Sequence, residues 1–473
     1  MIYYGARSYP LPRDFLEVLM DSKIFNVLDF GAVADGVTLN SSAVQAAVDA
    51  CAEAGGGTVS FPVGDFVLST VFLKSNVKIH ISKGARILGA LSFYDYAPEE
   101  KIDYPAYQDQ SHTYFDCSMF VGRDCENIAI FGEGDIDMRS VWDEDNVRDI
   151  VHRGPKCIAL KNCKNVDISG LGIFHATDLA VYFAGCENVD VHGLRMIVYI
   201  DGVSPDNSKN VNIYDCDIEA GDDSIVFKSS YTLNKIDYCK NIKVWNCRLR
   251  SRCNAIKFGT ETNGGFYDID IRDIDIRDVR ITALCVESVD GAILDGIHFE
   301  NIRIRNAGTA FFVHVGKRMR GPEGREVGCI RNVSFENIVA DGPYVPHTII
   351  PWNYIHYVNR DYVQYPWDIT SKHKNDVQYT SNVCGLAESR LENISFKNIK
   401  LTVEGGIAEW NPVVPDIAPP YPEVYVYGKV LPAKGIFFRY VDGLTIENFT
   451  VDSYKPDGRE DFVYEKVNDL KFD

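Results

Sequence analysis

A short pattern recurs along the chain: an Asn or Asp, an alternating apolar triplet, a brief polar break, then a second alternating triplet. It reads CENIAIFGEGDID, CKNVDISGLGIF, CENVDVHGLRMI, SKNVNIYDCDIE and CKNIKVWNCRLR, with weaker copies FYDIDIRDIDIRD, LDGIHFENIRIRN, IRNVSFENIVAD, LENISFKNIKLT and VDGLTIENFTV. The leading positions are Asn127, Asn165, Asn188, Asn210, Asn241, Asp268, Gly296, Asn332, Asn393 and Gly443. Asn165 to Asn188 is 23 residues and Asn188 to Asn210 is 22, with longer gaps that read as loop insertions. A period in this range marks a solenoid. Alternation with period 2 means half-buried strands, since a helix would repeat its apolar residues at i, i+3 and i+4. Short strands given once per coil and stacked ~4.8 Å apart make a parallel β-helix. The expected fold is therefore all-β, one single-domain right-handed parallel β-helix over residues 1–473, with its first coils near residue 58.

An open solenoid end exposes unpaired strand edges and needs a cover. Residues 40–57, NSSAVQAAVDACAEAGGG, supply one: Ser42 with Gln45 reads as a capping box, helix formers follow, and three glycines stop the helix. The segment 1–57 is thus an N-terminal arm with a capping helix. Two insertions, near 342–390 and 404–435, are rich in Pro and aromatics and belong on the surface, where long loops frame binding sites. Trp352, Tyr354, Trp367 and Trp410 within them are candidates for stacking on sugar rings.

Charge narrows the partners. With 48 basic against 67 acidic side chains, the net charge is −19, which repels phosphate backbones and anionic lipid. Nucleic-acid binding is not expected, and no stretch approaches ~18 apolar residues in a row, so neither is a membrane span. The first residues lack a basic region followed by an unbroken apolar core, which sets cytoplasmic localisation as the expectation. The 13 cysteines show no CxxC, CxxH or HExxH spacing. Buried reduced thiols are expected, with no metal site and no cofactor.

The repeat also serves as a ruler. Thirteen residues beyond four successive leading asparagines lie Asp178, Asp201, Asp223 and Asn254, which stack in one column if the coils are of equal length. Asp222, in GDDSIVFKS, adds a third carboxylate beside Asp223. Asn at a solenoid corner satisfies its neighbours' backbone groups, so the leading asparagines read as a structural ladder. Ionised carboxylates cannot donate, and Asp201, Asp222 and Asp223 held together repel one another until one is pushed to keep its proton. Two chemistries fit such a cluster: glycoside hydrolysis by an acid and a water-activating carboxylate, or metal-assisted β-elimination of a uronide with Lys228 or Lys257 as the base.

In FNVLDFGAVADG, GEGDIDMRSVW, RGPKCIALKNCKNVDISGLGI and above all DGVSPDNSKNVNIYDCDIEAGDDSIVFKSS, the chain resembles glycoside hydrolase family 28, the polygalacturonase-like enzymes. The resemblance implies hydrolysis with inversion, Asp222 as general acid and Asp201 with Asp223 activating water. It also implies acid and base ~6.5 to 9.5 Å apart. The family's Asn-Thr-Asp-Gly reads Tyr-Ile-Asp-Gly here, with Tyr199 in place of Asn. Its Gly-His-Gly aligns with Cys253-Asn254-Ala255, and its carboxylate-gripping Arg-Ile-Lys aligns with Cys285-Val286-Glu287. Lys257, Arg252 and Lys228 are the candidates to restore a cation, each equally readable as a solvated surface charge.

The segments SRCNAIKFGTETNGGF and VGKRMRGP and the YPE to LPAKGIFFR stretch are similar to a subgroup associated with rhamnogalacturonan-type substrates. The expected partner is an oligosaccharide or polysaccharide, and blocking of one groove end by residues 342–435 would enforce exo action. A lyase on the same scaffold and an inactive carbohydrate-binding solenoid are the alternatives. His175 reads as a satisfied strand histidine, while His112, His347, His356 and His373 fall in loops without ligand-like spacing.

Overall fold

The computed structural model describes residues 23–141, 154–342, 344, 355–358, 361–364, 378–410, 412–418 and 423–473, with backbone alone at 355–358 and 361–364. Its strands stack in three parallel ladders, so each coil contributes one rung to each, and the fold is a parallel β-helix. The first ladder runs Val166↔Val189↔Val211↔Ile242↔Ile269↔Ile297↔Val333↔Ile394↔Leu444. All of these side chains are buried. They are the residues that follow each leading polar position, so the alternation seen in the sequence is the alternation between core and surface. At ~1.5–3 kcal/mol per fully buried aliphatic side chain, such a column is the main driving force for stacking. Among the described residues no helix is long and apolar enough to cross a membrane.

The leading residues themselves turn the chain. All ten have φ between 53° and 75°, the left-handed region. Asn and Gly tolerate that conformation, and a Cβ-branched residue does not. Asn127 donates its Nδ2–H to Asn76, Asn165 to Asn127, Asn188 to Asn165, Asn210 to Asn188 and Asn241 to Asn210, at 2.8–3.0 Å. The ladder is structural, as its sequence pattern implies. Asn188→Ala loses two amide bonds and strains φ, so a destabilisation of about 1–3 kcal/mol is expected. Asn188→Gly, free of the strain, is expected to cost less; denaturant midpoints of the two variants test the order.

Three boundaries differ from the sequence reading. The N-terminal arm already carries coil strands, with Ile24–Asn26 paired to Gly57–Phe61 and Asp35–Leu39 to Gly64–Leu68. The cap helix spans Ser41–Glu53 and buries Val44, Ala47, Val48 and Cys51, but its N-cap is Asn40 and no capping box forms. Gln45 instead bonds both the N–H and the carbonyl of Phe72, tying the cap to the first coils. The helix stops where expected, since Gly55, Gly56 and Gly57 all have positive φ. Finally, the insertion near 342–390 contains a coil strand, Ser381–Cys384, stacked between residues 312–314 and 436–439. Ile355–Val358 and Asp361–Gln364 within it form an antiparallel pair.

None of the cysteines is in a disulfide, and all but Cys253 and Cys329 are buried.

Candidate active site

The pairs Val181↔Val203↔Ile225↔Ile256 fix the register of the third ladder. Two residues before each stand Leu179, Asp201, Asp223 and Asn254. The Asp223 N–H donates to Asp201 Oδ1 at 3.2 Å, and the Asn254 N–H and Nδ2–H donate to Asp223 Oδ1 at 3.1 and 2.8 Å. Asp201, Asp223 and Asn254 therefore form the expected column. Asp178 does not join it. Phe174, Ile197, Glu219 and Arg250 are paired in register. The turn after Phe174 is one residue longer than the turns after the other three, so Leu179 takes the column position. Asp178 falls in step with Asp222 instead and pairs with Lys156 at 3.1 Å.

Asp201, Asp222 and Asp223 each bring a carboxylate oxygen within 4.8 Å of the other two. These nearest-oxygen distances run shorter than the ~6.5–9.5 Å between whole carboxyl groups expected for an inverting pair. Asp201 and Asp223 are buried, and Asp222 is the more exposed. Burial pushes the Asp223 carboxyl well above its usual range; Lys257 opposes this, and the charges of Asp222 and Asp201 add to it. The carboxylate repulsion foreseen in the sequence thus falls on Asp223.

The lysines are not solvated surface charges. Lys228 is buried, with Nζ 3.6 Å from Asp201 and 3.4 Å from Glu261. Lys257 is also buried, 3.4 Å from Glu287, 3.9 Å from Asp223 and 4.0 Å from Glu423. Burial works against both ammonium charges, but the surrounding carboxylates outweigh it and raise both pKa values. Glu287 is fully buried and accepts from the Cys285 thiol at 3.2 Å. Its carboxyl is raised to about 7, by burial first, against the pull of Lys257. Tyr199 is buried and its hydroxyl accepts from Ser140 at 3.0 Å, so it braces an earlier coil. Arg252 is half-buried in the turn before Asn254, its N–H on the Ala220 carbonyl.

Three participants were not foreseen. A register shift after Phe227 moves its strand's partner from Phe258 to Thr262, which brings Glu261 to Lys228; no spacing rule reveals this. Glu423 arrives on the second insertion, whose general role at the site was expected but whose residue was not. His112, read as an idle loop residue, sits in the short helix Gln110–Thr113, 2.5 Å from Asp109 and 3.9 Å from Glu261. His175 is satisfied by Asp137 at 2.9 Å, as expected. Trp410 is half-buried. Trp352, Tyr354, Trp367, His347, His373 and the His356 side chain lie outside the described residues.

Burial lowers the His112 pKa, but Asp109 and Glu261 outweigh it and the net shift is upward. A raised His stabilises fully below its unfolded value of ~6.5, and that contribution is lost as pH rises through the folded value. The protein is expected to lose stability as pH climbs past neutral, and His112→Asn to flatten that limb. Denaturant midpoints across the pH range check it.

The site is thus an acidic cluster braced by buried lysines, on the outer edge of a β-helix. The family model for glycosyl hydrolases family 28 matches residues 51–341, and the chain belongs to that family. It is 26% identical over 298 residues to an exo-poly-alpha-D-galacturonosidase of Dickeya chrysanthemi, covering 52% of this chain and 49% of that protein. A probable polygalacturonase of Vitis vinifera is 25% identical over 262 residues, covering 52% and 53%. The chain spans about half the length of these curated relatives. An exopolygalacturonase structure from Thermotoga maritima superposes with a TM-score of 0.65 at 20% identity, covering 92% of this chain and 95% of that one, which establishes the shared fold.

Proposed function

We propose that the protein is an inverting, exo-acting glycoside hydrolase of pectin-derived or related plant cell-wall oligosaccharides, rhamnogalacturonan-type rather than plain polygalacturonan. The observation that carries this reading is the carboxylate trio, with one member half-buried and two buried. Asp222, the half-buried one, protonates the leaving oxygen. Asp201 deprotonates the attacking water, and Asp223, whose carboxyl is held well above its usual range, helps to hold that water in place.

Their pinning favours inversion despite the short spacing. A retaining nucleophile must reach the anomeric carbon itself. Asp223 is held by two Asn254 donors, and Asp201 by the Asp223 N–H and Lys228. Neither is free to advance, and both are well placed to hold a water.

The lysines weigh against the lyase. Elimination needs a neutral base, and the carboxylates around Lys228 and Lys257 keep both protonated. Exo action is supported by the second insertion, which sets Glu423 beside Lys257 and Tyr425 against Tyr379 at 5.6 Å between ring centroids. The rhamnogalacturonan preference draws on the missing Arg-Ile-Lys clamp. Cysteines that form no disulfide favour a reducing compartment.

The test is incubation with a panel of defined oligosaccharides, products read by mass spectrometry. Addition of water with release of end residues is expected. An unsaturated uronide, formed only without chelator, would instead establish the lyase.

A further inference from the structure

The charges around the cluster select the sugar that enters it. We propose that the subsite beside Asp222 and Asp223 takes a neutral sugar ring and rejects a uronate, and that Glu423 together with Glu287 enforces the choice. The inference rests on the glycosidase reading and deepens it.

Both lysines that bracket the cluster are already engaged. Lys228 is shared by Asp201 and Glu261, and Lys257 by Glu287, Asp223 and Glu423, all within 4.0 Å. Two ammonium groups, with His112 and Arg318 each 3.9 Å from Glu261, thus face five carboxyl groups, and Asp222 adds a sixth. Burial pushes the Glu423 carboxyl up and Asp222 adds to this, against the pull of Lys257 and Arg280. A uronate entering this network adds another anion where water is scarce and the lysines' charge is committed. Like charges brought together in such surroundings are a means of rejection as effective as a steric clash.

The excess acid comes from two unrelated segments. Glu287 lies on the strand Gly265–Ser288, two residues past Cys285, which pairs in register with Lys257. Glu423 is delivered by the insertion. Each reaches the same lysine, so Lys257 is neutralised from both sides.

A second observation points the same way. Glu287 Oε2 and Asn254 Oδ1 are buried acceptors with no hydrogen-bond donor. Buried acceptors left unpaired are costly, and a sugar hydroxyl supplies the missing hydrogen through a water. At C6, where the two kinds of sugar differ, a neutral sugar has a hydroxyl hydrogen to give and a uronate has none.

The experiment compares oligosaccharides ending in a neutral sugar with matched ones ending in galacturonate, using the wild type, Glu423→Gln and Glu287→Gln. A wild-type preference for the neutral end on the order of a hundredfold in kcat/KM is expected. Glu423→Gln should shift the uronate-to-neutral ratio toward uronate by about tenfold. Equal or faster hydrolysis of the uronate end by the wild type overturns the inference and leaves the glycosidase reading intact, as does a ratio that neither variant moves. NMR titration of Asp222→Asn with galactose and with galacturonate separates binding from chemistry. Selective binding of the neutral sugar supports the inference even if no substrate is hydrolysed, an outcome that overturns the glycosidase reading alone. Selective binding of galacturonate overturns the inference.

Discussion

Asp222→Asn is expected to lower turnover by about 10²–10⁴-fold on oligosaccharides, the range that a positioned general acid contributes. The amide keeps the shape of the carboxyl but has no acidic proton for the leaving oxygen. Because Asp222 is the more exposed member of the trio, its replacement is expected to change stability by less than about 0.5 kcal/mol. The loss has a chemical signature that a folding defect lacks. An aryl glycoside with a strongly acidic phenol needs no protonation to depart, so the variant should keep far more of its activity there than on a sugar leaving group. A uniform loss across leaving groups, or near-normal turnover, would remove Asp222 from the acid role.

Lys228→Met is expected to be the most damaging single change to stability. The side chain is buried between Asp201 and Glu261, and methionine fills its volume without its charge. Removing one partner of a buried ionic group strands the others, at about 3–5 kcal/mol. The Glu261 carboxyl shows how much is held there. Despite burial, His112 and Lys228 bring it down to about 2, so its contribution is present above its unfolded value and lost as pH falls toward 2. Pairing Lys228→Met with Glu261→Gln relieves one stranded charge, so the double variant should be more stable than the sum of the two single losses, with a coupling of about 1–3 kcal/mol. Strict additivity in denaturant unfolding would show that the lysine and glutamate act independently.

What the sequence disclosed follows from where the fold is periodic. The leading asparagines, the aliphatic ladder and the column of Asp201, Asp223 and Asn254 were all legible because each coil repeats the same turn at the same offset. Asp178 was misplaced by one extra residue in the turn after Phe174, a local irregularity that leaves the strand pattern untouched. The environment of the lysines was not legible at all. Glu261 reaches Lys228 through a register shift, Glu423 comes from an aperiodic insertion, and His112 meets Glu261 from far along the chain. Glu287 shows the limit most clearly: its alignment with a cation in the family was visible, but its burial against Lys257 was not. Tertiary contacts between aperiodic segments carry no sequence spacing, and it is these contacts that set the charge of the site.

The most direct test is the anomeric configuration of the first product, followed by NMR from the start of hydrolysis and before mutarotation. Single displacement by a water held at Asp201 and Asp223 releases the anomer opposite to that of the bond cleaved. Release of the same anomer would mean that one of those carboxylates attacks the sugar itself, and an unsaturated product that no water is added at all; either contradicts the assignment of Asp222, Asp201 and Asp223.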